Sequence, residues 1–146
     1  MGDRGNIMLK YSRTDDVIYL YTHWRGSNLP KILQEGLRRA VDGGRQGDES
    51  YASRIIFATM IGSHEITSTT GFGMSPYMTD NEHHILCVDF EKQQVLILPW
   101  ERQDRGKVDY RLVNPVASFS FKEYLNLDLD SPEFYKQWTG YEVEAE

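Results

Sequence analysis

Apolar residues recur along this chain with two periods, two and 3.6, and together these predict most of its elements. Ile7 to Tyr11 and Val17 to His23 are rich in β-branched and aromatic residues. They flank the polar cluster Arg13-Thr14-Asp15-Asp16, so an opening hairpin is expected. In its second strand Ile18, Leu20 and Thr22 share one face, expected to look inward, and Val17, Tyr19, Tyr21 and His23 share the other. Gly26-Ser27-Asn28-Leu29-Pro30 then carries a helix start signal, a polar cap followed by a proline whose missing N–H costs nothing in the first turn. Leu29, Ile32, Leu33, Leu37 and Ala40 form one stripe of a helix running to about Ala40, interrupted by Gly36 at a cost of about 1 kcal/mol relative to Ala. The polar, glycine-rich stretch Asp42 to Glu49 predicts a surface loop. A second helix is expected from near Ser50 through Tyr51, Ile55, Ala58 and Ile61. Ile56, Phe57 and Met60 make it apolar around much of its circumference, which predicts the more buried of the two helices.

The second half of the chain reads as further strands and short helices. His64 to Asn81 suits an irregular crossing or short strand. His84 to Phe90 and Val95 to Trp100 alternate around Glu91-Lys92-Gln93-Gln94, predicting a second hairpin with Leu86, Val88 and Phe90 on one face. Glu101 to Lys107 is a solvated connection, and Tyr110 to Val113 and Val116 to Phe119 read as strands. Ser120 and Glu123 have capping-box spacing ahead of a short helix with Tyr124 and Leu125; Ser131-Pro132-Glu133 starts a terminal helix anchored by Phe134, Tyr135 and Trp138. The expected fold is α+β: an antiparallel sheet of about five to six strands built from hairpins, packed against two main helices, with short C-terminal helices. Residues 1–141 are expected to form one domain and the acidic residues 142–146 a solvated tail.

Charge and cysteine usage narrow the setting. A formal charge of -6 argues against general nucleic-acid binding, which needs a basic surface. Arg38, Arg39 and Arg45 read as solvated, dipole-complementing groups rather than a nucleic-acid patch. A single cysteine, Cys87, forms no internal disulfide and sits in an alternating apolar strand, so it is expected to be a buried, inert thiol in a reducing compartment. The chain has no apolar run of bilayer-spanning length and its start lacks a signal peptide's apolar segment, so no membrane association and a cytoplasmic location are expected. Gly43-Gly44-Arg45-Gln46-Gly47 follows a helix and lacks the Walker lysine and hydroxyl, which makes it a linker rather than a phosphate loop.

The richest cluster is the end of the first hairpin, Tyr19-Leu20-Tyr21-Thr22-His23-Trp24-Arg25-Gly26. Backbone N–H groups at a helix start, a bidentate guanidinium and a ring for stacking together suit a small anionic, nucleotide-like ligand, with Tyr21, His23, Trp24 and Arg25 as its holders. The same residues also suit packing, with Trp24 covering the core, His23 bonding a carbonyl and Arg25 paired with an acid. Asp80-Asn81-Glu82-His83-His84 supplies carboxylates and imidazoles that suit a metal only weakly. Adjacent His83 and His84 point to opposite faces of a strand, and no HExxH or CxxC spacing accompanies them. Asp80, Glu82 and His83 are therefore candidates for a second wall of the same site, with no metal ligands assigned and no cofactor identified.

Met1-Gly2-Asp3-Arg4-Gly5-Asn6-Ile7 and Tyr19 to Ser27 resemble a group of small uncharacterised proteins of bacteria and their phages. Tyr51 to Ile61, Thr70-Gly71-Phe72-Gly73 and Asp80-Asn81-Glu82-His83 extend the resemblance over about residues 1–90. It implies a bacterial or phage context and a pairing of the hairpin exit with the Asp-Asn-Glu-His segment, and it carries over no catalytic role. Three functions are consistent with these features. The first is a binding or regulatory protein for a small anionic ligand. The second is a hydrolase in which His23 with Glu82 or His83 activates water, with or without a divalent metal. The third is an inhibitor or interaction protein whose partner is a host protein.

Overall fold

A computed structural model of the chain describes residues 2–62, 69–102 and 108–141. The acidic tail, His64-Glu65 with their neighbours, and residues 103–107 of the solvated connection lie outside the described residues. The opening hairpin consists of β1 (Gly5–Lys10) and β2 (Val17–Thr22). A short 3-10 turn, Gly26–Asn28, leads into α1 (Leu29–Asp42), and α2 (Glu49–Ile61) follows the glycine-rich loop. Then come β3 (Phe72–Ser75), β4 (Ile85–Asp89), β5 (Gln94–Leu98), β6 (Ala117–Ser120), α3 (Phe121–Leu125) and α4 (Pro132–Thr139). The α+β class, the six strands and the two main helices agree with the hydrophobic periodicity.

The strand order is β3-β2-β1-β4-β5-β6. Every neighbouring pair is antiparallel except β1 and β4, which run parallel in the register Ile7↔Leu86 to Lys10↔Asp89. The sheet is thus two antiparallel halves, β3-β2-β1 and β4-β5-β6, joined by one parallel pair, with α1 and α2 in the connection from β2 to β3. On the helix side, Ile7, Leu9, Leu20, Leu86, Val88, Val95 and Ile97 pack with Leu29, Leu33, Leu37, Ile56 and Met60. Met8, Tyr19, Ile85, Cys87 and Leu98 form a smaller core on the opposite face, closed by Tyr110.

Two expectations are corrected. Tyr110 to Val113 is not a strand but a 3-10 turn, Tyr110–Leu112. The Asp109 carboxylate accepts from the Arg111 N–H and grips its guanidinium at 2.8 Å, holding a bend that drops Tyr110 onto the sheet's second face. The more buried helix is α1, which buries six residues, whereas α2 buries Ala52, Ile56 and Met60 and leaves Tyr51 half exposed. Of its other apolar residues, Ile55 and Phe57 are only partly buried at the edge of this core, Phe57 beside Met74 of the short β3, and Ala58 lines the opposite flank beside Arg25. As expected, Ser120 and Glu123 form a full capping box and Ser131 caps α4.

Candidate functional site

The parallel pairing builds the site. Because β1 and β4 run the same way, the residues that lead into both strands lie side by side, and residues 3–6 run against 80–83. The Arg4 N–H donates to Glu82 Oε1 at 3.0 Å and the Glu82 N–H donates to the Arg4 carbonyl at 3.0 Å. The Arg4 guanidinium lies 3.9 Å from carboxylate oxygens of both Asp80 and Glu82. Asn6 is fully buried, and its amide donates to the Asp80 carbonyl at 2.8 Å, pinning the turn. Its Oδ1 is buried with no hydrogen-bond partner among the described residues.

Asp3 ties this segment to the hairpin exit. Its N–H donates to the His23 carbonyl at 2.7 Å, its carbonyl accepts from the Gly26 N–H at 2.7 Å, and its Oδ2 accepts from the Ser27 N–H at 2.8 Å. Its Oδ1 meets His83 Nε2 at 2.5 Å, and the His83 ring stacks on Trp138 with an interplanar angle of 9°. Burial pushes the Asp3 carboxyl up, but the hydrogen bonds from His83 and Ser27 outweigh it and hold the group below its ordinary value. Gly26 is required by space, since a Cβ there would lie 2.6 Å from the His83 ring and 2.8 Å from the Asp3 carbonyl.

The candidates from the sequence divide between two sides of the junction. Tyr21 Oη and His23 Nδ1 are hydrogen-bonded at 3.0 Å, and the Trp24 ring stands edge-on to His23 and to Phe72. Burial raises the Tyr21 pKa, and the charge of Asp80 adds to the rise. Tyr21, His23, Asp80, Glu82 and His83 are therefore joined, through Arg4 and Asp3, into one polar network. Arg25 is not part of it. Its guanidinium crosses to the end of α2, donates to the Met60 carbonyl at 3.1 Å, and lines a cleft of about 570 Å³ with Lys31, Glu35, Arg39, Thr59 and Gly62.

His84 is not part of the Asp3 network, and its Nδ1 accepts from the Trp100 N–H at 3.0 Å. Neither histidine lies within β4, which begins at Ile85, so the loop leading into the strand, and not a strand's alternation, separates them. Among the described residues no three His, Cys, Asp or Glu side chains converge as a metal centre would need. No helix among them is long and apolar enough to cross a membrane. The sequence reading missed Asp3, Arg4 and Asn6 as parts of the network, and Lys31 and Arg39 as neighbours of Arg25. Asn6 carried a local signal, an amide inside an otherwise apolar strand; the rest became visible only when the strands were paired. Compared with protein-family models, curated proteins and solved structures, the chain matches none.

Proposed function

We propose that this is a small binding protein that holds a small anionic ligand at the junction of β2 and α1, in the cleft on the Arg25 side. One observation carries it: the cleft gathers Arg25, Lys31 and Arg39 against the single carboxylate of Glu35. Both guanidiniums bond neutral acceptors, Arg25 the Met60 carbonyl and Arg39 the Thr59 hydroxyl at 2.7 Å, and neither forms an ion pair among the described residues. Lys31 is held by Asp130 at 3.0 Å. A guanidinium has five N–H donors in a planar fork, so each keeps donors for a carboxylate or phosphate. The volume lies within the range of small-molecule sites. Arg25 also offsets the negative end of α2, so its loss costs stability as well as binding.

The test is titration of isotope-labelled protein with inorganic phosphate and with citrate, followed by amide chemical shifts. Shifts are expected to cluster around Arg25, Thr59 and Gly62. Arg39→Gln is expected to weaken binding by about tenfold or more, in line with about 1.5–3 kcal/mol for a hydrogen bond to a charged group, without altering the fold. Binding that is indifferent to Arg39→Gln, or shifts scattered over the surface, sinks the proposal.

A second reading, hydrolysis, rests on the Asp3–His83 pair. With Nε2 committed to Asp3, His83 Nδ1 has no hydrogen-bond partner among the described residues and is the nitrogen free to take a proton from water. Asp3 is fixed by Ser27 and the imidazole by Trp138, which is the orientation that an acid–base histidine needs. On this reading a panel of chromogenic esters and phosphoesters includes at least one that is turned over, and both His83→Gln and Asp3→Asn lower that rate by about a hundredfold or more. Turnover that survives both substitutions assigns the activity elsewhere.

A further inference from the structure

The flank of α2 that β3 leaves uncovered forms a groove of about 440 Å³. Its floor is the sheet, with Leu9 and Leu20, and its walls are Ile18, Phe57 and the half-exposed Met74. The polar groups at its rim are mostly engaged with one another. The hydroxyls of Tyr11 and Ser53 are 2.9 Å apart, and the Glu49 carboxylate accepts from the Ser12 N–H at 2.9 Å. Arg54, exposed at the mouth, has no ion-pair partner among the described residues. The rim thus carries one carboxylate, Glu49, turned to the Ser12 N–H, and one guanidinium, Arg54, with no carboxylate acceptor of its own among the described residues.

We infer that the groove binds a medium-chain aliphatic carboxylate, its chain lying along Leu20, Phe57 and Met74 and its head group meeting Arg54. An apolar chain gains by leaving water against this floor, and a carboxylate meets a guanidinium in two parallel hydrogen bonds. The volume suits one small ligand, whereas an α-helix with its side chains is about 10–12 Å across and needs a longer trough. This site is separate from the Arg25 cleft and stands or falls without it.

Calorimetric titration of the full chain with decanoate, decanol and decyltrimethylammonium, each below its micelle concentration, tests it. Decanoate is expected to bind best and the ammonium worst. Arg54→Gln is expected to weaken decanoate by about tenfold, to the level of decanol, in proportion to the loss of a charge-assisted bond. Met74→Glu, at an exposed position where folding is unaffected, is expected to remove binding of both. Equal binding of the ammonium, decanoate affinity unchanged in Arg54→Gln, or indifference to Met74→Glu overturns the inference. So does a dimer by sedimentation that Met74→Glu dissolves, which would make the groove an interface between two copies.

Discussion

His83 and His84 are neighbours in the chain with opposite surroundings, and the difference is chemical as well as spatial. His83 gives an N–H to a carboxylate, whereas His84 receives an N–H from the Trp100 backbone and must keep its Nδ1 unprotonated to do so. Burial, with the neighbouring His83, holds the His84 pKa below its ordinary value of 6.5. The unfolded chain therefore binds a proton at His84 that the folded chain resists, and stability falls as pH drops below about 7, until the folded-state pKa is passed. Urea unfolding at pH 7.5 and 5.5 checks this: the midpoint is expected to fall on acidification in the wild type and to fall less in His84→Gln. An equal fall in both proteins would place the acid sensitivity elsewhere. Asp3 has the complementary sign for a carboxyl, since its lowered pKa adds stability that is complete above its ordinary value of 3.8 and lost at lower pH.

At the scale of elements, Gly36 shows how a local cost is offset by packing. Its cost to α1 of about 1 kcal/mol was evident from helix propensity, but its purpose was not. A Cβ there would lie 3.1 Å from the Ile56 Cα, so the glycine lets the two helices approach backbone to backbone where α1 crosses α2. The helix starts at Pro30 and Pro132, the capping box at Ser120 and the hairpin around Gln93 were legible because each is settled within a few residues by hydrogen bonds and fixed dihedrals. Tyr110 to Val113 misled because a short run of aromatic and aliphatic residues is equally consistent with a strand and with a turn that plugs a core. Here the Asp109–Arg111 contact selects the turn. The apolar circumference of α2 misled for a related reason, since periodicity reports which residues are apolar but not whether a neighbouring element extends far enough to cover them.

At the scale of the whole molecule, the two cores share one sheet, and β4 lies at its centre. Cys87 on that strand is buried on the second face, and burial pushes its thiol up to about 12. The thiolate needed for disulfide exchange is thus available chiefly when the sheet opens. Labelling with a disulfide reagent at pH 8 is expected to be slower in the native protein than in urea-unfolded protein by several orders of magnitude. It is also expected to accelerate with sub-denaturing urea as global opening does. Rapid labelling of the native protein would mean that β4 is exposed by a local motion.

The amino-acid sequence by itself determined the two hairpins, the two main helices, the caps of α3 and α4 and the inward faces of β2 and β4, because periodicity and capping are local and each residue's neighbours in the chain are enough to specify them. It also singled out the hairpin exit and the Asp80–His83 turn from their unusual concentration of functional side chains. Only the tertiary structure decided what those residues meet. In an otherwise antiparallel sheet the single parallel pair, β1 with β4, brings Asp3 and Arg4 against Glu82 and His83 across nearly eighty residues of chain, and an antiparallel pairing would have put them at opposite ends of the sheet. The direction of Arg25 was likewise decided by the end of α2, whose free carbonyls draw the guanidinium away from Tyr21 and His23 and into a cleft with Arg39.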